Sequence, residues 1–350
     1  MNIGRPAASC RALALLACCA LQAAAVRAAD IPLFEDDSLL EIELKGPLSS
    51  IIDDRSEREE RPFVLVLDAV EWNVQVRLRG HSRSRREVCI FPPLRLRFEN
   101  AAGLFEGQKK LKLVTHCQNS DRGDAEVMEE YAAYRLFNLL SQVSFRVRPL
   151  RITYTDTDGR LSARARQRFG FVIEPAKQLE RRSGGSLLEL SGVSLAALDP
   201  DQAALVYVFQ YLIGNTDWSL VTSTGKEYCC HNGLLLGIDG RVHYVPYDFD
   251  LAGLVNTRYA KPHSSLRLRS VRIRRYRGFC TEPETLLAAI RSVSKQEDAA
   301  LDIMRTAPAL SEKDRAKGID YLSRFFEKAR DENRLLVEFD RKCLDPRTGK

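Results

Sequence analysis

The chain has 350 residues, with 53 Lys and Arg against 47 Asp and Glu, which gives a formal net charge of +6 at pH 7. A chain of this length accommodates one two-lobed domain or two small ones. So mild a basic excess gives no indication of nucleic-acid binding, and we find no internal repeat or low-complexity tract that would indicate a repeat or disordered protein.

The first 28 residues are predicted to be a secretory signal peptide. Arg5 and Arg11 precede an apolar run over 12–25, and small residues stand at the −3 and −1 positions of a cleavage site at Ala28. These are the marks of such a peptide, and the run is too short for a comfortable membrane span. A buried N-terminal helix is the alternative. Removal of 1–28 takes away three arginines and no acid, so the formal charge falls from +6 to +3.

Cysteine usage agrees with export to the periplasm or beyond the cell. Nine cysteines fall to six without the signal peptide: Cys89, Cys117, Cys229, Cys230, Cys280 and Cys343. An even number in an exported chain predicts disulfide bonds, although sequence does not choose their pairing. The sequence contains no CxxC pair, so a zinc site is not expected. A loose lipobox ending at Cys18 leaves lipoprotein anchoring open, and no transmembrane segment is expected in the mature chain.

The first half is predicted to be rich in strands. Period-two alternation is clear over 74–78 and 94–98 and is typical of half-buried strands in an antiparallel sheet. A helix is predicted over 124–140 from its apolar spacing, and a hairpin turn over 156–159. The predicted strands are Leu40–Leu44, Phe63–Leu67, Trp72–Leu78, Leu94–Phe98, Lys110–Val114, Leu150–Tyr154 and Phe169–Glu174.

The second half is predicted to be mainly helical, after a hinge or linker over 178–186. Two strands flank a turn at Asp239, and a basic irregular stretch covers 258–277. Strands followed by helices indicate an α+β fold, here with a strand-rich N-lobe over 30–180 and a helix-rich C-lobe over 187–343. A hinge between them would form a ligand cleft. The predicted elements are helices over 201–213, 282–293, 297–307 and 311–336, and strands over 233–238 and 242–246.

Polar residues follow two of these apolar elements. Asp217 comes after the helix and the turn at Gly214, and Asp248 and Asp250 come after a strand, with Asn232 between. Buried carboxylates are costly unless paired or metal-bound. Phosphoryl transfer needs a carboxylate that orients a hydroxyl, and an asparagine and an aspartate that hold Mg²⁺. The alternatives are a capping or turn role for Asp217 and a surface-facing acidic pair at the strand end.

These motifs make the chain resemble the spore-coat protein H (CotH) kinase-like family. The resemblance is carried by 211–218, His231-Asn232 and 245–253, with weaker upstream similarity over 76–82, 109–113 and 131–137. It implies that 29–343 form one atypical two-lobed protein-kinase-like domain that binds ATP and Mg²⁺ and phosphorylates proteins. By the same resemblance Asp217 is the catalytic aspartate, Asn232 binds metal, and either Asp248 or Asp250 corresponds to the metal aspartate of the kinase DFG motif.

The kinase plan also predicts residues that contact the nucleotide. A kinase lysine lies on a sheet strand and is steadied by a helix glutamate. Lys112 lies on the last strand before the helix and is preferred to Lys110, which faces the same way. Glu129 falls on the small apolar face of the helix and is preferred to Glu130.

Two further contacts follow from the same plan. Arg79 offers a fork of donors in a glycine-containing loop, where the sequence has no GxGxxG lid. Glu174 precedes the hinge, where an adenine contact would lie. A solvated surface role is the alternative for each of these charged residues.

The sequence therefore predicts an exported kinase that transfers the γ-phosphoryl group of ATP to a hydroxyl, on a protein substrate. The alternatives are a non-catalytic surface or coat protein of the same fold, since fold does not determine function, and a kinase of carbohydrates or small molecules. The basic run over 267–277 is either a solvated face or a contact for acidic substrate or phosphate. Its few aromatic residues do not favour nucleic acid as a partner.

Overall fold

The structure, a computed structural model, describes Met1 and residues 32–56, 58–221 and 228–345. The predicted signal peptide, with Cys18, lies outside these ranges apart from Met1. No helix in the described ranges is long and apolar enough to cross a membrane.

Seven strands of the N-terminal half form a closed barrel in the order β1-β2-β3-β4-β5-β7-β6. Strands β1 to β4 bury alternate residues, as the period-two pattern predicts; β4, for example, buries Leu94, Leu96 and Phe98, whereas β6 and β7 each bury a run of consecutive residues. The bounds are β1 (Leu40–Gly46), β2 (Arg61–Leu67), β3 (Val70–Leu78), β4 (Leu94–Phe98), β5 (Lys110–Thr115), β6 (Val147–Asp156) and β7 (Gln167–Ile173).

The barrel closes where β1 pairs with β6 in parallel, from Leu40 opposite Leu150 to Gly46 opposite Asp156. The expectation of a wholly antiparallel sheet is therefore wrong at this seam. Closure lets the inward side chains of all seven strands share one apolar interior, which includes Val74, Leu96 and Ile152. Inward residues alternate with outward ones along every strand of a barrel.

Helix α2 (Asp121–Leu140) connects β5 to β6 and starts three residues before its predicted beginning. The Ser120 hydroxyl accepts a hydrogen bond from the Gly123 backbone N–H at 3.2 Å and caps the helix. The helix packs against β7, but its apolar side chains belong to the second hydrophobic core, where Phe137 lies 4.7 Å from Phe209 between ring centres. Helix α2 therefore joins the barrel to the C-terminal half.

The second core contains the remaining long helices and a three-stranded sheet in the order β10-β9-β8. Strands β9 and β10 flank the predicted turn at Asp239. The bounds are α4 (Pro200–Ile213), α5 (Pro283–Ser294), α6 (Glu297–Thr306), α7 (Glu312–Ala329), α8 (Glu332–Asp340), β8 (Ser186–Leu188), β9 (Gly233–Ile238) and β10 (Arg241–Pro246). The short helix α1 (Leu48–Asp53) lies between β1 and β2.

Two predicted boundaries are wrong. The segment predicted as a linker over 178–186 forms most of helix α3 (Ala176–Ser183) and the start of β8, and α3 ends at Gly184 in the left-handed conformation. The helix predicted over 311–336 is divided into α7 and α8. The Asp331 carboxylate accepts a hydrogen bond from the Arg334 backbone N–H at 3.0 Å and starts a new helix there.

All six cysteines of the described residues are paired: Cys89 with Cys117, Cys229 with Cys230, and Cys280 with Cys343. The first disulfide joins the loop after β3 to the loop before α2, and the third joins the segment before α5 to the residues after α8. Such pairing agrees with the prediction of disulfides and is compatible with an oxidising compartment.

Candidate functional site

Asp217 lies in the turn that follows helix α4. Gly214 ends the helix with φ of +67°, and a Cβ atom on it would lie 1.9 Å from the Tyr321 hydroxyl, so only glycine fits here. The Asn215 side chain accepts a hydrogen bond from the Asp217 backbone N–H at 2.9 Å, and the Trp218 indole donates to the Asn215 carbonyl at 3.1 Å. The backbone around Asp217 is therefore held on both sides.

The Asp217 carboxylate is shared by two neighbours. His231 Nε2 lies 2.9 Å from Oδ1, and the Asn232 amide donates to Oδ2 at 2.9 Å and to the Asp217 carbonyl at 2.7 Å. The Asp217 side chain is still 38% exposed. The structure thus brings together Asp217 and Asn232, and leaves the carboxylate partly exposed to solvent.

Neighbouring charges keep Asp217 ionised. Burial raises its pKa, but the hydrogen bonds from His231 and Asn232 and the charge of Arg277 outweigh burial, so the pKa lies below its usual value. The hydrogen bond to Asp217 raises the pKa of His231, against the opposing effect of burial. Asp217 is therefore suited to accept a proton or hydrogen bond near neutral pH.

The pairing of Asp217 with His231 predicts that the stability of the folded protein depends on pH through the His231 imidazole. Because the pKa of His231 is raised in the folded protein, its contribution to stability is complete below its unfolded pKa and is lost as pH rises through the folded pKa. We expect Asp217→Asn to lower the pKa of His231. An NMR titration of the imidazole signals measures this, with exposed His263 as the internal control. An unchanged His231 pKa would contradict the arrangement.

Asn232 also lies against the residues before Asp248. The Tyr247 backbone N–H donates to the Asn232 carbonyl at 3.0 Å, and the Asp248 N–H donates to the Tyr134 hydroxyl at 2.9 Å. Both Asn232 and Asp248 have positive φ, of 53° and 63°. Within the described parts of the chain, the half-buried Asp248 carboxylate has no hydrogen-bond or ion-pair partner. Asn232 thus connects the two acidic residues.

Asp250 has a different environment from Asp248. It is 6% exposed, accepts a hydrogen bond from the Tyr259 hydroxyl at 2.8 Å and lies 4.0 Å from Arg83 Nη1. Burial raises its pKa well above the usual value. Asp248 and Asp250 do not share one face of a strand, because β10 ends at Pro246 and Asp248 has a left-handed backbone conformation.

Arg83 forms a buried ion pair that the sequence did not indicate. Its Nη1 lies 3.0 Å from Glu130 Oε2, and its Nη2 donates to the Thr115 carbonyl at 3.0 Å. Burial raises the pKa of Glu130, while the Arg83 charge opposes that shift. Arg83 lies in the irregular loop between β3 and β4, which has no periodic pattern that would indicate which side chains point inward.

The expected pair between a lysine and Glu129 is not formed. Glu129 instead pairs with Arg122, at 3.1 Å from Nη1 and 3.0 Å from Nη2, and its neighbour Glu130 faces Arg83 and Asp248. Helix α2 is buried on almost every side, so a small apolar face does not identify the direction of the site. The preference for Glu129 over Glu130 as the glutamate facing this site is corrected.

Arg79 and Lys112 lie on the barrel side of Asp248. Lys112 Nζ is 5.6 Å from the centre of the Tyr247 ring, and Lys112 forms no ion pair among the described residues. Solvent reaches its side chain, but the surrounding protein removes part of its hydration and lowers its pKa, with the Arg79 charge acting in the same direction. The buried Nε of Arg79 has no hydrogen-bond partner among the residues that the structure describes. These cations are available to an anionic group.

Glu174 is occupied by protein donors. Its carboxylate accepts hydrogen bonds from Arg182 Nε at 3.1 Å, from Arg182 Nη2 at 2.9 Å and from the Arg146 backbone N–H at 3.0 Å. Glu174 is only 4% exposed. Glu174 thus ties the end of β7 to α3 and to the start of β6. Its surroundings do not support a contact between its carboxylate and adenine.

Arg277 is a second residue of the site that sequence reasoning did not assign. Its guanidinium donates to the Thr216 carbonyl and, at 3.2 Å, to the Trp218 carbonyl, and it lies 5.9 Å from the Trp218 ring centre. It therefore holds the backbone on both sides of Asp217 and supplies a positive charge there. The only signal in the sequence was its place in the basic run.

Among the described residues, few side-chain oxygen atoms near Asp217 are free to bind a metal ion. In the described ranges, no group of three or more His, Cys, Asp or Glu residues could hold a metal ion. The Asn232 amide nitrogen is used on Asp217, which leaves its Oδ1 and the Asp248 carboxylate as hard oxygen donors. Mg²⁺ keeps several waters and needs only one or two such protein groups. The donor set therefore fits Mg²⁺.

Comparisons with known proteins give a distant likeness to a solved structure. No family model matches the chain, and no curated protein matches it. A similar solved structure is that of the Helicobacter pylori proinflammatory kinase CtkA, with 12% sequence identity and a TM-score of 0.40 over 70% of this chain and 94% of that chain. A similarity at this level assigns neither an activity nor a site residue.

Proposed function

We propose that this protein is a CotH-like kinase that transfers the γ-phosphoryl group of ATP to a hydroxyl of a protein. The proposal rests on one observation above all. The side-chain amide of Asn232 donates a hydrogen bond to the Asp217 carboxylate, and the backbone carbonyl of Asn232 accepts one from the N–H of Tyr247, the residue before Asp248. The sequence order of these three residues is the order that phosphoryl-transfer enzymes of the kinase type use.

In this proposal Asp217 orients the acceptor hydroxyl and accepts its proton. Its lowered pKa keeps it ionised, and its partial exposure lets a hydroxyl approach. His231 and Asn232 hold the carboxylate in one direction, and Arg277 holds the backbone that carries it.

Asn232 and Asp248 would hold Mg²⁺, which when bound offsets the negative charge of the phosphates. Asp248 is chosen over Asp250 because Asp250 already binds Tyr259 and lies near Arg83. Arg79 and Lys112 would contact the phosphates, and the Arg83–Glu130 pair would support the loop that carries Arg79.

Nucleotide binding is tested by thermal unfolding. We expect ATP with Mg²⁺ to raise the melting temperature more than either alone, since a ligand of the folded state stabilises it. Asp248→Asn should remove most of the Mg²⁺-dependent rise. The matched control is Asp239→Asn, the same chemical change at an exposed turn residue, which should retain it. Absence of any shift in the unaltered protein would contradict the proposal.

Transfer from radiolabelled ATP separates the kinase from the alternatives. A thermal shift without label transfer to protein would favour a non-catalytic binding protein, a role consistent with the missing GxGxxG lid. Label on a carbohydrate but not on protein would favour the small-molecule kinase.

Export is part of the proposal. N-terminal sequencing of the protein produced in bacteria tests it, because a signal peptide would be removed after Ala28.

A further inference from the structure

The segment between Asp250 and Glu282 has an unusual charge. It contains eight Lys and Arg residues and no Asp or Glu, so the formal charge of the chain, +6, becomes −2 when these eight are set aside. We call residues 251–277 the basic segment. Its cations are Arg258, Lys261, Arg267, Arg269, Arg272, Arg274, Arg275 and Arg277.

The basic segment is attached to the candidate site near both of its ends. Near its start, the Tyr259 hydroxyl donates to Asp250 at 2.8 Å. At its end, Arg277 donates to the carbonyls of Thr216 and Trp218, on either side of Asp217. The residues between these attachments contain one short 3₁₀ turn, Ser264–Leu266, and otherwise no regular structure. The segment therefore lies beside the acceptor side of the site.

Three of its cations have internal roles. Arg274 Nη2 donates to the Leu212 carbonyl at 3.0 Å and its guanidinium lies 3.9 Å from the Tyr321 ring centre. Arg272 lies 4.7 Å from the same ring. Together with Arg277 they attach the segment to the rest of the C-terminal half through carbonyl oxygens and the rings of Tyr321 and Trp218. None of the three arginines forms an ion pair with a carboxylate in the described parts of the chain.

Four other cations have no such role. Lys261, Arg267, Arg269 and Arg275 are exposed, and none forms an ion pair in the described parts of the chain. Arg258 is also exposed; its Nε lies 4.0 Å from Glu126, and its Nη2 donates to the Ser120 hydroxyl at 3.5 Å. Exposed cations that no acid neutralises, next to a site, create a positive potential that attracts anionic partners.

We propose that the basic segment binds an acidic stretch of the acceptor protein, with Asp, Glu or phosphorylated side chains near the hydroxyl that is modified. This inference rests on the proposed function, because it assigns the segment to the acceptor. Arginine guanidinium groups form paired hydrogen bonds with carboxylates and phosphates, which suits such a stretch. Cations on both sides of the Arg272–Arg274 anchor would contact acids over several residues of the acceptor.

The segment is poorly suited to nucleic acid. Binding of single strands needs aromatic faces on which bases stack. Tyr276 is 2% exposed and stacks on Phe339 at 4.1 Å between ring centres, and Tyr259 is occupied by Asp250. The aromatic residues of the segment are therefore used inside the protein.

Binding of labelled peptides to the full chain, without nucleotide, tests the proposal. Three serine peptides of equal length carry Glu, Gln or Lys at the same flanking positions, and fluorescence anisotropy measures their affinities. We expect the Glu peptide to bind most tightly and to lose affinity as salt rises, because exposed charges are screened. Equal affinity for the Glu and Gln peptides would overturn the proposal.

Two charge-matched variants locate the interaction. The triple variant Lys261→Glu, Arg267→Glu, Arg269→Glu is expected to weaken Glu-peptide binding by about tenfold or more. The control changes three exposed cations elsewhere that form no ion pair among the described residues, Lys295→Glu, Lys313→Glu, Arg334→Glu, and should retain most of the affinity. Equal losses in both would mean that net charge alone is responsible, and would overturn the proposal.

Two further outcomes are informative. If duplex DNA displaces the Glu peptide more effectively than unlabelled Glu peptide does, the segment is a nucleic-acid site and the proposal falls. If the Glu peptide binds as expected but no phosphoryl transfer occurs, the docking surface stands and the proposed function fails. The two proposals are thereby judged separately.

Discussion

Asp217→Asn is expected to lower the rate of phosphoryl transfer by about 10²–10⁴-fold, the range that general acid–base catalysis contributes. Asparagine has the same shape and can still bond to His231 and Asn232, so the fold should be retained. What disappears is the negative charge that accepts the hydroxyl proton. Initial rates of label transfer from ATP, at saturating nucleotide, measure the effect.

The control for this experiment is Asp239→Asn, which makes the same change in the exposed turn between β9 and β10. Its transfer rate should equal that of the unaltered protein. Unfolding in urea should show that both variants are folded. Transfer at a normal rate by folded Asp217→Asn protein would remove Asp217 from the catalytic role.

Arg83→Met is expected to lower the free energy of unfolding by about 3–5 kcal/mol, as for other buried pairs that lose one partner. Arg83 pairs with Glu130 and lies near Asp250, which are 2% and 6% exposed. Methionine retains much of the volume but leaves two carboxyl groups without their cation. Urea unfolding, followed by tryptophan fluorescence and circular dichroism, measures the change.

A surface pair provides the contrast. Arg95→Met breaks an ion pair with Glu60 in which both side chains are about a quarter exposed, and we expect a loss of only about 0–1 kcal/mol. Adding Glu130→Gln and Asp250→Asn to Arg83→Met should restore most of its stability. Equal losses for Arg83→Met and Arg95→Met would show that the buried network contributes little.

The pH dependence of the Arg83→Met variant has a definite sign. Burial raises the pKa of both Glu130 and Asp250 in the folded protein. Carboxyl groups of this kind bind more protons when folded than when unfolded, so their contribution to stability falls as pH rises from the unfolded pKa to the folded pKa. The deficit of Arg83→Met should therefore be smaller at acidic pH than at neutral pH.

Local patterns predicted the strands well, and their arrangement less well. Strands β4 and β9 have the bounds expected from sequence, because alternating or apolar runs mark the side chains that enter a core. Closure of the barrel depends on the pairing of Leu40 with Leu150, far apart in sequence. No local period carries that information, so the sequence indicated an antiparallel sheet without its parallel seam.

Sequence motifs mark some members of the candidate site, and others can be identified only from packing. Asp217, Asn232 and Asp248 follow recognisable elements, whereas Arg83 lies in an irregular loop. The wrong choice of Glu129 has a physical reason: both glutamates of α2 are buried, at 3% and 2% exposure, so burial does not distinguish them. Only the positions of Arg122 and Arg83, on different sides of the helix, separate their environments.

The disulfide between Cys89 and Cys117 has a practical consequence for whoever prepares this protein. It fastens the loop that carries Arg79 and Arg83 to the loop that leads into α2, next to the helix that supplies Glu130. Material produced in a reducing cytosol would lack this disulfide, and Arg79 and Arg83 would be held by non-covalent contacts alone. If such material shows no phosphoryl transfer, the missing disulfide is a sufficient explanation, and the result does not show that the protein lacks activity.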